Sequence, residues 1–152
     1  MSAGDPSEWK LPRLTINRDG EWLHEGQEIT HPGILANLQA NLRRDEGGYF
    51  VQTGPVRIPV EVADTPFVVI RAEPDGQTLR LTLNDGTQEA LDPATLRFTA
   101  AEVPYCRIKG GRWEARLSRA AAWELGQLVE YDERTGEATL RLGSATHRLR
   151  RQ

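Results

Sequence analysis

The sequence predicts an α+β fold made of two similar antiparallel-sheet-plus-helix units related by internal duplication. Short apolar runs alternating with period two are separated by glycine and proline turns, while only two segments place apolar residues at helical spacing. The parts also recur in order. A glycine turn, a tryptophan (Trp22, Trp113), a Thr or Ser cap, a helix, a second glycine turn and a β-hairpin occupy residues 18–62 and again residues 110–149. Cap to hairpin glycine spans 24 positions from Thr30 to Gly54 and 25 from Ser118 to Gly143.

Each element follows from local chemistry. Leu14, Ile16 and Trp22 flank Arg18-Asp19-Gly20, which predicts two short strands and a turn, with a further turn at Glu25-Gly26. Thr30 is placed to cap a helix that starts beside Pro32, carries Ile34, Leu35, Leu38 and Leu42 on one face, and ends at the glycines after Arg44. The β-branched and aromatic run Tyr49–Thr53 and the alternating Val56, Ile58, Val60, Val62 predict a hairpin turning at Gly54-Pro55. Asp64-Thr65-Pro66 breaks the pattern and marks the boundary. Phe67–Ile70 then predicts a buried strand, and Leu79, Leu81 and Leu83 lead into Asn84-Asp85-Gly86, a strong hairpin signal, with a return strand to Leu91. After turns at Asp92-Pro93 and Pro104, Tyr105–Ile108 and Trp113–Leu117 form strands about Lys109-Gly110-Gly111. Ser118 caps a helix reaching about Glu130, with Ala121, Leu125, Leu128 and Val129 on its face, and a last hairpin carries Leu140 and Leu142. Residues 1–10 are assigned to a polar tail, 11–66 to an N-terminal α+β subdomain, and 67–152 to a β-rich C-terminal subdomain with one helix.

Composition bounds the function. With 38% apolar and 27% charged residues the chain reads as an ordinary globular protein. The net charge of −3 argues against a nucleic-acid partner, which calls for a basic face. The charge is uneven: residues 1–75 hold 7 basic and 12 acidic side chains (−5), residues 76–152 hold 12 and 10 (+2). No apolar run is long enough to span a membrane, the first residues lack the pattern of a signal peptide, and a lone Cys106 excludes an intrachain disulfide, so the expected location is the cytoplasm.

Catalytic signals are weak. His24, His31, His147 and Cys106 show no metal-ligand spacing, and the glycine turns match neither a P-loop nor a dinucleotide fingerprint. Cys106 reads as a strand core residue, and Asp64 and Glu114 lack an evident paired carboxylate for hydrolysis. The expectation is a protein that is not an enzyme and uses no cofactor. Arginine is more suggestive: 17 of 19 basic residues are arginine, and Arg107, Arg112, Arg116 and Arg119 crowd into thirteen positions beside Tyr105, Trp113 and Trp123. A guanidinium pairs bidentately with phosphate or carboxylate, and a helix start favours anions. Strand alternation puts Trp113 and Leu117 on one face, and Arg112, Glu114 and Arg116 on the other. The competing reading is a salt-bridged face with Glu102, Glu114 and Glu124.

Together RDGEW, LRRDEGGYFVQTGP, DTPFVVI, VPYCRI and GRWEARLSRAAAWEL resemble the bacterial domain-of-unknown-function family DUF1285, over about residues 12–149. The resemblance implies a duplicated α+β core with a pleckstrin-homology-like C-terminal part, a site for a nucleotide-like ligand at the interface of the two parts, and a role in signal transduction. The chain departs from the family pattern after Pro55-Val56, where Arg57-Ile58 stand in place of an acid–base pair. Taken together, the expectation is a ligand-sensing or regulatory module for an anionic, nucleotide-like molecule, with Arg107, Arg116 and Arg119 as phosphate partners and Phe67, Tyr105 and Trp113 as stacking surfaces. The alternative is a protein-interaction adaptor using a sheet edge or apolar patch.

Overall fold

The structure, a computed structural model, describes residues 11–151, so the expected polar tail of residues 1–10 lies outside the described residues. Two compact units meet in sequence at Ala63 and Asp64.

The first unit contains β1 (Leu14–Ile16), β2 (Trp22–His24), β3 (Gln27–Glu28), α1 (Pro32–Ala40), β4 (Leu42–Asp45), β5 (Gly48–Thr53) and β6 (Val56–Val62). They form one six-stranded sheet in the order β3-β2-β1-β6-β5-β4, antiparallel except where β1 lies parallel to β6. Leu14, Ile16, Trp22, Leu42, Val51 and Val60 are buried, as period-two alternation requires of a sheet with one covered face. At Glu25-Gly26 both residues have positive φ, 51° and 84°, the twist that a tight β2–β3 hairpin needs.

Helix α1 departs from expectation at both ends. Its N-cap is His31 rather than Thr30: the imidazole Nδ1 accepts from the Gly33 and Ile34 amides at 3.1 and 3.3 Å, while Pro32 has no amide to satisfy. The helix stops at Ala40 because Leu42–Asp45 pairs residue by residue with Gly48–Val51. Leu42 is therefore a buried strand residue rather than the last position of a helical face. None of the α1 residues is buried, and Ile34 is 50% exposed.

The second unit contains β7 (Phe67–Asp75), β8 (Thr78–Leu83), β9 (Gln88–Ala90), a 3-10 turn (Pro93–Thr95), β10 (Arg97–Phe98), β11 (Pro104–Ile108), β12 (Trp113–Leu117), α2 (Arg119–Gly126), β13 (Val129–Asp132), β14 (Glu137–Leu142), β15 (Ala145–Arg148) and β16 (Arg150–Arg151). A seven-stranded sheet runs β16-β10-β11-β12-β7-β8-β9, and β13-β14-β15 form a three-stranded sheet. The duplication survives in element order: a hairpin bearing a buried tryptophan, a helix, then a three-strand meander appear in both units. They differ in closure, since β1 joins the meander of its own unit through β6, whereas β12 takes β7 in parallel.

The balance leans further toward strand than the expected α+β fold, and the architecture is mostly β. Strand β7 runs on past Ile70 to Asp75 and turns back through Gly76-Gln77. Helix α2 ends at Gly126 rather than near Glu130, because Val129–Asp132 pairs with Glu137–Leu140. Ser118 caps α2 as expected, its hydroxyl accepting from the Ala121 amide at 3.2 Å.

Helix α2 also completes an interrupted ladder. Strand β12 pairs with β7 only as far as Val69, and the β7–β8 register shifts between Val69 and Arg71. Beyond that point, the Ser118 hydroxyl donates to the Ile70 carbonyl at 3.4 Å, and Glu124 accepts from the Ala72 amide at 3.1 Å. Helix side chains thus satisfy backbone groups that a missing strand would have paired. Ala121 and Leu125, both buried, lie at helical spacing beside Ser118 and Glu124 and anchor the same face of the helix, and Leu125 contributes about 2 kcal/mol by burial.

Candidate functional site

Register in the seven-stranded sheet decides which side chains meet. Arg97 lies opposite Tyr105, Tyr105 opposite Arg116, Arg107 opposite Glu114, and Arg116 opposite Val68. Residues directly opposite one another share a face, so Arg97, Tyr105, Arg107, Glu114 and Arg116 stand together on one side of β10–β12. Cys106, Ile108, Trp113, Ala115 and Leu117 face the other side and are buried.

The polar face is a linked array. Arg97 reaches Glu114 Oε2 with both Nε (3.2 Å) and a terminal nitrogen (2.6 Å), and its guanidinium sits 4.5 Å from the centroid of the Tyr105 ring. The Tyr105 hydroxyl donates to Asp64 at 2.9 and 3.1 Å from the two carboxylate oxygens. Arg116 Nε lies 3.2 Å from Asp64 Oδ2, and the Arg116 amide donates to Thr65 Oγ1 at 3.2 Å. Tyr105 is 7% and Arg116 8% exposed, so these contacts act with little water between them.

Two charge pairs cancel within the array, Arg97 with Glu114 and Arg116 with Asp64. Arg107 differs. It is exposed, and its guanidinium donates to the Gly111 carbonyl at 3.1 Å, a neutral partner that leaves its charge uncompensated by that bond. Arg119 is exposed at the first residue of α2.

The six residues singled out from the sequence are therefore divided. Tyr105, Arg107 and Arg116 share the polar face. Phe67 and Trp113 lie in the core, 2% and 6% exposed, their ring centroids 6.1 Å apart and tilted by 54°. Lys109 covers Phe67 from 5.1 Å while its ammonium donates to Asp85 at 2.8 Å. Arg119 belongs to α2 rather than to the strand face.

Arg97 is not among the residues the sequence singles out, and Asp64 stands there mainly as a boundary marker. A signal for Arg97 existed: Leu96 and Phe98 bracket it, so alternation sends it to the face opposite theirs. Nothing local joins Asp64 to a tyrosine 41 positions away. The expected salt-bridged alternative is present in altered form, with Glu114 held by Arg97 and Glu124 by Arg71.

Cys106 is buried on the other face; burial, with the charges of Glu89 and Glu114 adding to it, pushes its thiol up to about 12. Among the described residues no group of His, Cys, Asp or Glu could hold a metal, and no helix is long and apolar enough to cross a membrane.

Residues 6–129 match the profile of family DUF2944, described as "Protein of unknown function (DUF2946)". The chain belongs to this family of uncharacterised proteins. The fold is similar to that of a DUF1285 family protein from Silicibacter pomeroyi DSS-3, with TM-score 0.72 and 24% identity over 98% of this chain and 88% of that one. It is also similar to a DUF1285 family protein from Shewanella baltica OS155, with TM-score 0.61 and 23% identity over 76% of this chain and 91% of that one. The resemblance to a bacterial DUF1285-type family read from RDGEW, DTPFVVI and VPYCRI thus has a counterpart in three dimensions. Among curated proteins none matches.

Proposed function

We propose that the chain is a cytoplasmic, non-enzymatic ligand-sensing or regulatory module that takes an anionic, nucleotide-like small molecule. The observation that supports this reading is the polar face of β10–β12, where the exposed Arg107 bonds to a neutral carbonyl while its neighbours Arg97 and Tyr105 bond to carboxylates. Arg97 and Arg116 are already paired with carboxylates, so they order the surface rather than supply free positive charge. Arg107 is the phosphate partner the geometry favours, with Arg119 as the other exposed arginine of the original set. Phe67, Trp113 and Tyr105 then serve as scaffold: their rings face core side chains or the Arg97 guanidinium.

The test is a thermal-midpoint screen of nucleoside mono-, di- and triphosphates and inorganic phosphate. A ligand at 100 times its dissociation constant adds about 2.7 kcal/mol, which corresponds to roughly 5–10 °C for a chain of this size. Arg107→Gln should abolish the shift, and absence of any shift across the panel would sink the proposal. The adaptor reading rests on a different observation, the 67% exposure of Trp123 on α2. A partner complex weakened by Trp123→Ala and indifferent to Arg107→Gln would favour it.

A further inference from the structure

Helix α1 stands on little besides its own hydrogen bonds. Its residues carry no charge, none of them is buried, and no acidic side chain lies in its first turn. A helix of nine residues without a packed face is marginal in water, and Gly33 and Asn37 lower its intrinsic stability further. The chain on either side is fixed: the Ile29 amide donates to the Trp22 carbonyl at 2.8 Å, and Leu42 is buried in β4. Residues 30–41 can therefore lose the helix while the sheet stays intact.

One imidazole holds the start of α1. His31 Nδ1 accepts from the Gly33 amide at 3.1 Å and from the Ile34 amide at 3.3 Å, which requires the neutral ring with its proton on Nε2. Protonation turns Nδ1 into a donor, so both bonds are lost. It also adds a positive charge at the positive end of the helix dipole, with no carboxylate in the first turn to offset it. The usual capping side chains, Ser, Thr, Asn and Asp, keep an acceptor throughout the neutral range. Histidine ties the cap to a proton exchanged between pH 5 and 8.

Among the described residues no titratable side chain bonds to the His31 ring. The nearest charged groups along the chain are Glu28 on β3 and Arg43 on β4. Glu28 is held above the usual carboxylate range by its hydrogen bond with Glu21 and by the charge there. Arg43 donates to the Ala40 carbonyl at 3.1 Å and the Leu42 carbonyl at 2.9 Å, and stays charged throughout.

We propose that α1 is a pH-gated helix, folded while His31 is neutral and released when it is protonated, so that acid takes Ile34, Leu35 and Leu38 out of their helical arrangement without unfolding the sheet. The sign follows from the cap. The unfolded segment binds the proton more readily than the capped helix, so helix stability is fully present above the imidazole range and lost as pH falls through it. Loss of a cap together with dipole repulsion amounts to about a five- to tenfold fall in the helix-to-coil ratio, enough to tip an element that starts near balance. None of these residues belongs to the polar face of β10–β12, so the anion reading stands or falls separately.

Cα chemical shifts of Ile34–Leu38 in the full chain, recorded from pH 8 to pH 5, provide the test. The expected result in the wild type is a fall in helix-to-coil ratio of about five- to tenfold, with the shifts of Val51 and Val60 unchanged. His31→Asn, which keeps a neutral acceptor, should hold its pH 8 ratio at pH 5, and His31→Ala should show the low ratio at both. Glu28→Gln should leave the wild-type response in place. Helical shifts that persist at pH 5 in the wild type, equal loss in His31→Asn, disappearance of the response in Glu28→Gln, or a change that spreads to Val51 and Val60 would each overturn the proposal.

Discussion

The Tyr105 hydroxyl donates to the Asp64 carboxylate at 2.9 Å, and the same carboxylate neutralises the nearly buried Arg116. One side chain thereby meets groups on two neighbouring strands, accepting a hydrogen bond from Tyr105 on β11 and forming an ion pair with Arg116 on β12. Asp64→Ala should leave the Arg116 guanidinium buried without its counter-charge and cost about 3 kcal/mol or more, whereas Tyr105→Phe, which removes one hydrogen bond, should cost about 1–2 kcal/mol. Urea titration followed through the β11 and β12 amides measures both. Asp64→Ala combined with Arg116→Met should recover part of the loss; an additive double variant would show that the two residues do not act as a pair.

Gly143 turns β14 into β15 with φ of 60°, and a Cβ there would come within 3.0 Å of the Gly76 carbonyl oxygen in the β7–β8 turn. Gly76 has a similar φ of 63°, yet a Cβ on it would meet nothing within 4 Å. Gly76→Ala is expected to cost about 1 kcal/mol from left-handed backbone strain alone. Gly143→Ala should cost clearly more, since it also pushes apart turns joined by the Gln77 to Ser144 hydrogen bond of 2.9 Å. Equal losses in chemical denaturation would show that the contact between the two turns is slack.

Burial pushes the Asp85 carboxyl up, but the Lys109 ammonium and the Thr87 hydroxyl and amide outweigh it and hold Asp85 below the usual carboxylate range. A depressed folded value makes the contribution to stability fully present above the unfolded value of about 3.9, and lost as pH falls through the lower folded value. Asp85→Asn should therefore flatten the acid limb of the stability profile below about pH 4 and leave its shape near neutrality unchanged. An acid limb as steep as that of the wild type would remove Asp85 from this role. Glu124, held down first by the Arg71 guanidinium, acts in the same direction.

With its thiol pushed up to about 12 by burial, Cys106 should resist thiol reagents in the native protein at pH 8. Labelling should proceed only at the rate of opening and accelerate through the urea transition. Rapid labelling of the folded chain would contradict the buried placement. Cys106→Ser should destabilise more than Cys106→Ala, because an apolar face offers a hydroxyl no partner.

Much of the fold could be read from residues that act locally. Alternation placed Leu14, Ile16, Leu81, Leu83, Leu140 and Leu142 in strands and in the core, as found. Ser118 announced a helix because a hydroxyl at that position satisfies an orphan amide within three residues. The faces of Trp113–Leu117 were legible for the same reason: strand geometry sends Trp113 and Arg116 to opposite sides whatever surrounds them.

Short-range geometry accounts for the turn positions, the strand periodicity, the repeat in element order, and the separation of arginine from tryptophan on β12. Tertiary structure decided the rest. Leu42 and Val129 carry helical spacing, yet each became a strand residue because a partner strand offered a full ladder of hydrogen bonds, which outweighs weak local propensity. Asp64 became the partner of Tyr105 and Arg116 only through neighbours brought from distant parts of the chain. Pairing between remote segments has no local signature, because its energy resides in groups that sequence order keeps far apart.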